Sequence, residues 1–207
     1  MSFTETQGVA PSDTASRDYT DRLMNLSGRW WKRFFNVQAP YQWNLRRLRL
    51  GRTLDVGCGI GRNAAAMAIG SVGVDHNEHS VAICNQAGLE AYTPEAFFKR
   101  YPPASSHFDS ILIAHVFEHL TAADDVHILR EYLPYLKSGG QVVIITPQEA
   151  GFASDATHVE FMPFGKIEEI IREANLVTQR YYSFPFPRFF GRFFRYNEFV
   201  FIAKNPR

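Results

Sequence analysis

Cysteine is scarce in this sequence, with two thiols, Cys58 and Cys84, in 207 residues. That excludes a disulfide framework, and neither thiol sits in a C-x-x-C or Cys/His spacing that would hold zinc. A reducing, cytoplasmic location is expected. Long hydrophobic runs are missing as well. No stretch approaches the ~20 consecutive apolar residues of a membrane span, and the opening MSFTETQGVAPSDTASRDYTD has neither the basic region nor the apolar core of a secretion signal. The chain is therefore expected to be neither secreted nor anchored. Net charge is nearly absent, +1 from 22 Lys+Arg and 21 Asp+Glu, yet two windows contain no acid at all. Residues 22–54 carry Arg22, Arg29, Lys32, Arg33, Arg46, Arg47, Arg49 and Arg52, and residues 174–197 carry Arg180, Arg188, Arg192 and Arg195. Both windows are aromatic. What remains, 45% hydrophobic with 14% aromatic, is the composition of one globular domain and not of disorder, collagen or coiled coil.

Residues 1–16 are polar and aperiodic, the pattern of a mobile tail. Residues 17–50 are expected to form an N-terminal helical cap. Trp30/Trp31 and Phe34/Phe35 recur four apart on one helix face until Pro40 interrupts, and a second helical piece covers 41–50. From 51 to 207 short apolar runs alternate with helical stretches. TLDV, SVGV, LEAY, FDSILIAHV and QVVIIT read as strands, and 62–69, 78–87, 122–136 and 165–174 as helices. LVTQRYYSF and NEFVFIA then follow as strands joined by PFPRFFGRFFRY. The pattern predicts one α/β domain: a mostly parallel seven-stranded sheet with an antiparallel C-terminal strand and helices on both faces.

The most informative segment is Leu54-Asp55-Val56-Gly57-Cys58-Gly59-Ile60-Gly61-Arg62-Asn63. A buried strand runs into glycines at alternate positions and then an expected helix. Glycine permits positive φ and close approach to a ligand, and a helix start presents free N–H groups. Asp75 ends the next strand, where a carboxylate accepts the hydroxyls of a ribose. The dinucleotide fingerprint G-x-G-x-x-G would need glycine at 62, and Arg62 stands there. An acid at 55 would also repel a pyrophosphate and suits a cationic ligand.

Asp55, Gly57, Gly59 and Gly61 in this arrangement resemble the first motif of class I, Rossmann-like S-adenosylmethionine-dependent methyltransferases. The resemblance runs over about residues 50–204. It includes Phe108-Asp109 opening the fourth strand and Leu136-Lys137-Ser138-Gly139-Gly140 before the fifth, with Ser138 in place of the usual proline. It implies an enzyme that binds S-adenosylmethionine. Asp55 and Gly57 would face the methionine end and Asp75 the ribose, with His76 and Asn77 beside it, Cys58, Gly59 and Gly61 in the turn, and Tyr92 and Thr93 next to adenine. A noncatalytic S-adenosylmethionine-binding module and a nicotinamide-dependent oxidoreductase are the alternative readings.

His115-Val116-Phe117-Glu118-His119 follows the fourth strand, and Asp155-Ala156-Thr157-His158 follows the fifth. Both segments belong at the carboxyl edge of the sheet, where open α/β folds bind ligands. Three readings stand side by side. His119 or His158 is a general base for an O–H or N–H acceptor; or His115, Glu118, His119 and His158 hold a divalent metal; or these residues cap strand ends and shape the pocket. The set resembles the Glu/His metal sites of small-RNA 2′-O- and ubiquinone-pathway O-methyltransferases. The strand that Phe108-Asp109 opens ends at His115 and resembles the family's fourth motif, and the resemblance counts His115 among the cofactor-binding residues as well.

The two basic aromatic windows are expected to rim the acceptor pocket. An anionic acceptor, a small molecule or one linked to a lipid, would gain from charge and apolar contact alike, which also allows peripheral contact with a membrane. Single-stranded RNA is the alternative. Against both stands the reading of these aromatics as core and of these arginines as a solvated face.

Overall fold

The computed structural model describes residues 39–103 and 107–206. The expected tail at 1–16, and the part of the cap that holds Trp30, Trp31, Phe34 and Phe35, lie outside the described residues. Among the described residues, thirteen regular elements, apart from short 3-10 turns, follow in chain order: α1 (Ala39–Arg47), β1 (Thr53–Val56), β2 (Val72–Val74), α2 (Glu78–Gln86), β3 (Ala91–Tyr92), α3 (Pro94–Arg100), β4 (Phe108–Ala114), α4 (Ala122–Tyr132), β5 (Leu136–Pro147), α5 (Glu149–Phe152), α6 (Phe164–Glu173), β6 (Val177–Phe184) and β7 (Glu198–Lys204).

The strands form one seven-stranded sheet in the order β3-β2-β1-β4-β5-β7-β6. Pairing is parallel from β3 through β5, and β7 runs antiparallel between β5 and β6. Alternate side chains supply two cores. On one face Ile111 and Ile113 of β4, Val142 and Ile144 of β5 and Phe201 of β7 pack with Phe97 of α3, Leu129 of α4 and Ile167 and Ile170 of α6. On the other, Leu112, Ala114, Val143, Ile145, Val200 and Ile202 meet Leu45, Leu48 and Leu50 at α1 and just beyond it. Helices cover both faces because residues 111–114 of β4 and 142–145 of β5 are apolar at every position, the condition of a doubly covered sheet.

Local signals explain the helix starts. The Asn77 side chain accepts from His79 N and Ser80 N at the head of α2, and Thr93 with Pro94 at the first turn opens α3. Three expectations need correction. The helix expected over 62–69 is reduced to a 3-10 turn at Ala64–Ala66. Arg62 O and Ala65 O accept instead from the Gln42 amide at 2.6 Å and the Arg46 guanidinium at 3.5 Å of α1. The helix expected over 122–136 ends at Tyr132 in a 3-10 turn, Leu133–Tyr135, with Pro134 in it. The Leu136–Gly140 turn lies within β5, whose register with β4 jumps from Phe108↔Leu136 to Ser110↔Gln141.

Candidate active site

The carboxyl ends of β1, β2, β4 and β5 share one edge, and the antiparallel course of β7 brings its first residue, Glu198, to that edge opposite Pro147. Past β1, Gly57, Gly59 and Gly61 all take positive φ, at 78°, 52° and 78°. Gly57 N and Cys58 N donate to Val74 O at 2.8 and 3.1 Å, which ties the turn to β2. A Cβ on Gly57 would lie 2.2 Å from Val116 Cγ2, and one on Gly61 2.4 Å from Leu89 Cδ1, whereas one on Gly59 would meet nothing within 4 Å. Gly57 and Gly61 are thus demanded by close packing. Gly59 faces open space.

Asp75 stands beside that opening. Its Oδ2 accepts from Gly59 N at 2.7 Å and its Oδ1 from Asn77 N at 2.9 Å, and His76 Nδ1 lies 3.8 Å from Oδ1. Asp55 is buried in β1, with the Asn63 amide 3.3 and 3.4 Å from its two oxygens. Burial pushes the Asp55 carboxyl up to about 7; Asn63's donation opposes the rise, and the Asp75 charge adds to it. A buried acid held partly neutral is primed for a cationic ligand group. A carboxylate in the strand that leads into the turn and a second one bonded to its uncovered glycine fit the cofactor implied by the resemblance, with its ammonium, sulfonium and ribose.

Other expected cofactor residues are placed differently. The Cys58 side chain packs with Val81, Cys84 and Ala91, so only its backbone lines the turn. Tyr92 donates its hydroxyl to Glu90 at 3.0 Å, and Thr93 Oγ1 accepts from Ala96 N at 3.4 Å as the cap of α3. Both side chains serve local structure. The expected free helix start after Gly61 is absent, since a three-residue 3-10 turn occupies that place.

The second constellation begins at His115, whose backbone is left-handed at φ 59°, a conformation that costs about 1 kcal/mol or more and clusters at functional sites. Its Nδ1 lies 3.1 Å from Glu118 Oε1 and its Nε2 2.9 Å from Glu198 Oε1. Desolvation opposes a charge on this half-exposed ring, but the hydrogen bonds and charges of the two glutamates outweigh it and raise His115 to about 10. Glu198 itself is pushed up by burial, with the His115 hydrogen bond and charge pulling the other way. Neither nitrogen of His115 is left to ligate a metal, which corrects the expectation of four converging ligands.

Glu118, His119 and His158 do converge, one ligand atom from each lying within 4.8 Å of the others. Val159 N and Glu160 N donate to Glu118 O at 2.7 and 3.1 Å and hold the two segments together. His119 Nδ1 lies 3.1 Å from Thr157 O and His158 Nδ1 2.8 Å from Phe152 O. A carbonyl only accepts, so in the neutral rings both Nδ1 atoms carry the proton and both Nε2 atoms keep a lone pair. Burial lowers His119 below the usual histidine range, which favours that neutral form. Glu118 is fully buried, and its Oε2 finds no hydrogen-bond partner among the described residues.

Sequence reasoning missed Glu198, which reads there as a polar start to an apolar strand, and Asn63, which reads as part of a helix. Of the aromatic windows, Trp43 stacks on Phe184 with Arg47 4.4 Å above its ring, a structural use. Phe189 and Phe193 remain exposed.

The family model described as methyltransferase domain matches residues 54–144. No curated protein matches the sequence. Among solved structures, the chain is similar to a SAM dependent methyltransferase from Archaeoglobus fulgidus, at 19% identity and a TM-score of 0.66, covering 88% of this chain and 99% of that one. It is also similar to magnesium protoporphyrin IX methyltransferase from Synechocystis with bound SAH, at 14% identity and a TM-score of 0.65, covering 94% and 97%. A chain of the Haloferax volcanii complex between the Trm112 methyltransferase activator and a methyltransferase matches at 15% identity and a TM-score of 0.69, covering 96% and 100%.

Proposed function

From a class I, Rossmann-like methyltransferase fold and the match of residues 54–144 to the methyltransferase domain model, we propose that the chain is an S-adenosylmethionine-dependent methyltransferase acting on an oxygen or nitrogen of an anionic acceptor. The observation that carries the reading is the pair of carboxylates, Asp55 and Asp75, around a turn whose middle glycine, Gly59, faces open space. Asp55 would hold the cationic end of the cofactor and Asp75 its ribose. The bound cofactor supplies an electrophilic methyl group on a sulfonium.

The chain's own contribution is alignment and proton removal. His119 Nε2 or His158 Nε2 takes the acceptor's proton, each ring being fixed in orientation by the carbonyl on its Nδ1. His115, held between Glu118 and Glu198, is a positioning residue that sets the Glu118 carboxylate beside them. Oxidoreductase chemistry is disfavoured by Arg62 and by the acid at Asp55.

A second reading of the cluster is a divalent ion on Glu118, His119 and His158, favoured by the orphaned, buried Glu118 Oε2 and by the two free Nε2 lone pairs. Two imidazoles and a carboxylate suit a transition metal over magnesium or calcium. Metal analysis with turnover in excess chelator tests it, and unchanged turnover removes the ion.

The activity is tested by incubating the protein and its Asp75→Ala variant with methyl-labelled S-adenosylmethionine and source-cell extract, then separating lipid, nucleic acid, protein and small-molecule fractions. Label in one fraction, absent with the variant, identifies the acceptor class. Cofactor binding without any label points to the noncatalytic module.

A further inference from the structure

The segment between β6 and β7 holds its aromatic side chains out from the fold. Phe193 is 82% exposed, Phe189 61%, Phe186 43% and Phe190 37%. Four rings of the segment form one cluster: Phe186 lies 5.2 Å from both Phe190 and Phe194, and Phe189 lies 4.3 Å from Phe190. Exposure here is imposed by structure. The Asn197 side chain accepts from Phe186 N at 2.9 Å and donates to Gln148 Oε1 at 3.0 Å and to Phe186 O at 3.2 Å. Gly191 packs so closely on Gln148 that a Cβ there would clash with the side chain, and Arg188 forms a two-pronged ion pair with Glu149 of α5. The loop is fastened at both ends and in the middle, and the phenylalanines are the part left over.

Such a patch on a water-soluble surface is costly unless something covers it. Its charge says what. Residues 174–197 contain four arginines and no acid. Arg188 is spent on Glu149, while Arg192 and Arg195 are exposed among the phenylalanines. A cluster of exposed aromatic rings flanked by exposed arginines matches a headgroup layer. Rings settle at the interface, and guanidinium groups meet anionic phosphates.

We propose that the loop 185–196 docks the protein on an anionic membrane surface. The loop opens directly into Glu198, which touches His115 at 2.9 Å, so docking sets the site edge against the bilayer and makes a lipid-linked acceptor the class it takes. The docking stands on the loop alone; the acceptor class rests on the methyltransferase reading.

The test is flotation with vesicles of phosphatidylcholine, with and without about one third phosphatidylglycerol. Binding is expected only to the anionic vesicles and is expected to fall more than ~10-fold in high salt, since surface electrostatics are screened within ~3 Å at 1 M. Phe189→Ser with Phe193→Ser should weaken it by about 100-fold, and Arg192→Gln by about 5-fold. These side chains are exposed, so the variants should keep the wild-type melting temperature and S-adenosylhomocysteine affinity. No association with anionic vesicles, or association indifferent to the double variant, overturns the proposal. A double variant that changes self-association by light scattering, without vesicle binding in the wild type, overturns it in favour of a second copy as the covering partner. Vesicle binding by a protein that fails to bind S-adenosylhomocysteine would sustain the docking surface and sink the methyltransferase reading.

Discussion

His115 Nε2 and Glu198 Oε1 lie 2.9 Å apart, joining the end of a parallel strand to the start of the antiparallel one. Glu198→Gln removes one of the two carboxylates that raise His115 to about 10. The sign follows from linkage. A histidine raised in the fold stabilises fully below its unfolded value near 6.5, and that stability is lost as pH rises through about 10. The variant should therefore be less stable than wild type at pH 6 and approach it above pH 10. The ring is half exposed, so solvent screening limits the difference to about 1 kcal/mol. Urea melts across pH and an imidazole NMR titration read both; a His115 that titrates near 6.5 in the wild type would refute the arrangement.

Asp55 gives the opposite pH signature at the glycine turn. With its carboxyl pushed up to about 7 by burial, the ionised form is disfavoured by the fold, so this group's contribution to stability is present below pH 4 and lost as pH rises through 7. A cationic ligand reverses the preference. S-adenosylhomocysteine affinity should fall by up to about tenfold per pH unit below 7, and Asp55→Asn should bind weakly with a flat profile. Calorimetry in two buffers checks the proton release that binding requires.

The glycine turn predicts two different failures. Gly59→Ala adds a methyl group that meets nothing within 4 Å, and the left-handed backbone costs about 1–2 kcal/mol, so the protein should fold but lose cofactor affinity. Gly57→Ala drives its methyl group to 2.2 Å from Val116 Cγ2 and should lose more stability, about 1–3 kcal/mol beyond the backbone term. Thermal melts beside binding isotherms separate the two.

This turn was legible in the sequence because strand, glycines and Asp75 are neighbours in the chain and each has its own signal. The succession of strands along the chain and the parallel direction of the first five were legible for the same reason, since apolar runs and helices alternate until the last pair. The 62–69 segment was not. Its alanines favour a helix, but it is short and lies between Gly61 and Gly70, and two of its carbonyls are taken by α1, a contact that no local pattern encodes. His115 read as one more imidazole of a cluster. Its removal from that cluster depends on Glu198, which reaches it only through the antiparallel pairing of β7 with β5.

Asp125 is the last consequence of the same crowded edge. It is fully buried on α4, neither carboxylate oxygen finds a hydrogen-bond partner among the described residues, and burial, then the charges of Glu160, Asp124 and Glu118, push it up to about 8 while Lys166 opposes them. The fold therefore favours the protonated acid, and stability from this group is present below pH 4 and lost as pH climbs through 8. Asp125→Asn keeps the shape and cannot ionise, so it should stabilise the protein by about 1 kcal/mol at pH 8.5 and by little or nothing at pH 4. A melting temperature that drops at pH 8.5 would show instead that the ionised carboxylate is needed there, as it would be if a cation met it from the Glu118 side.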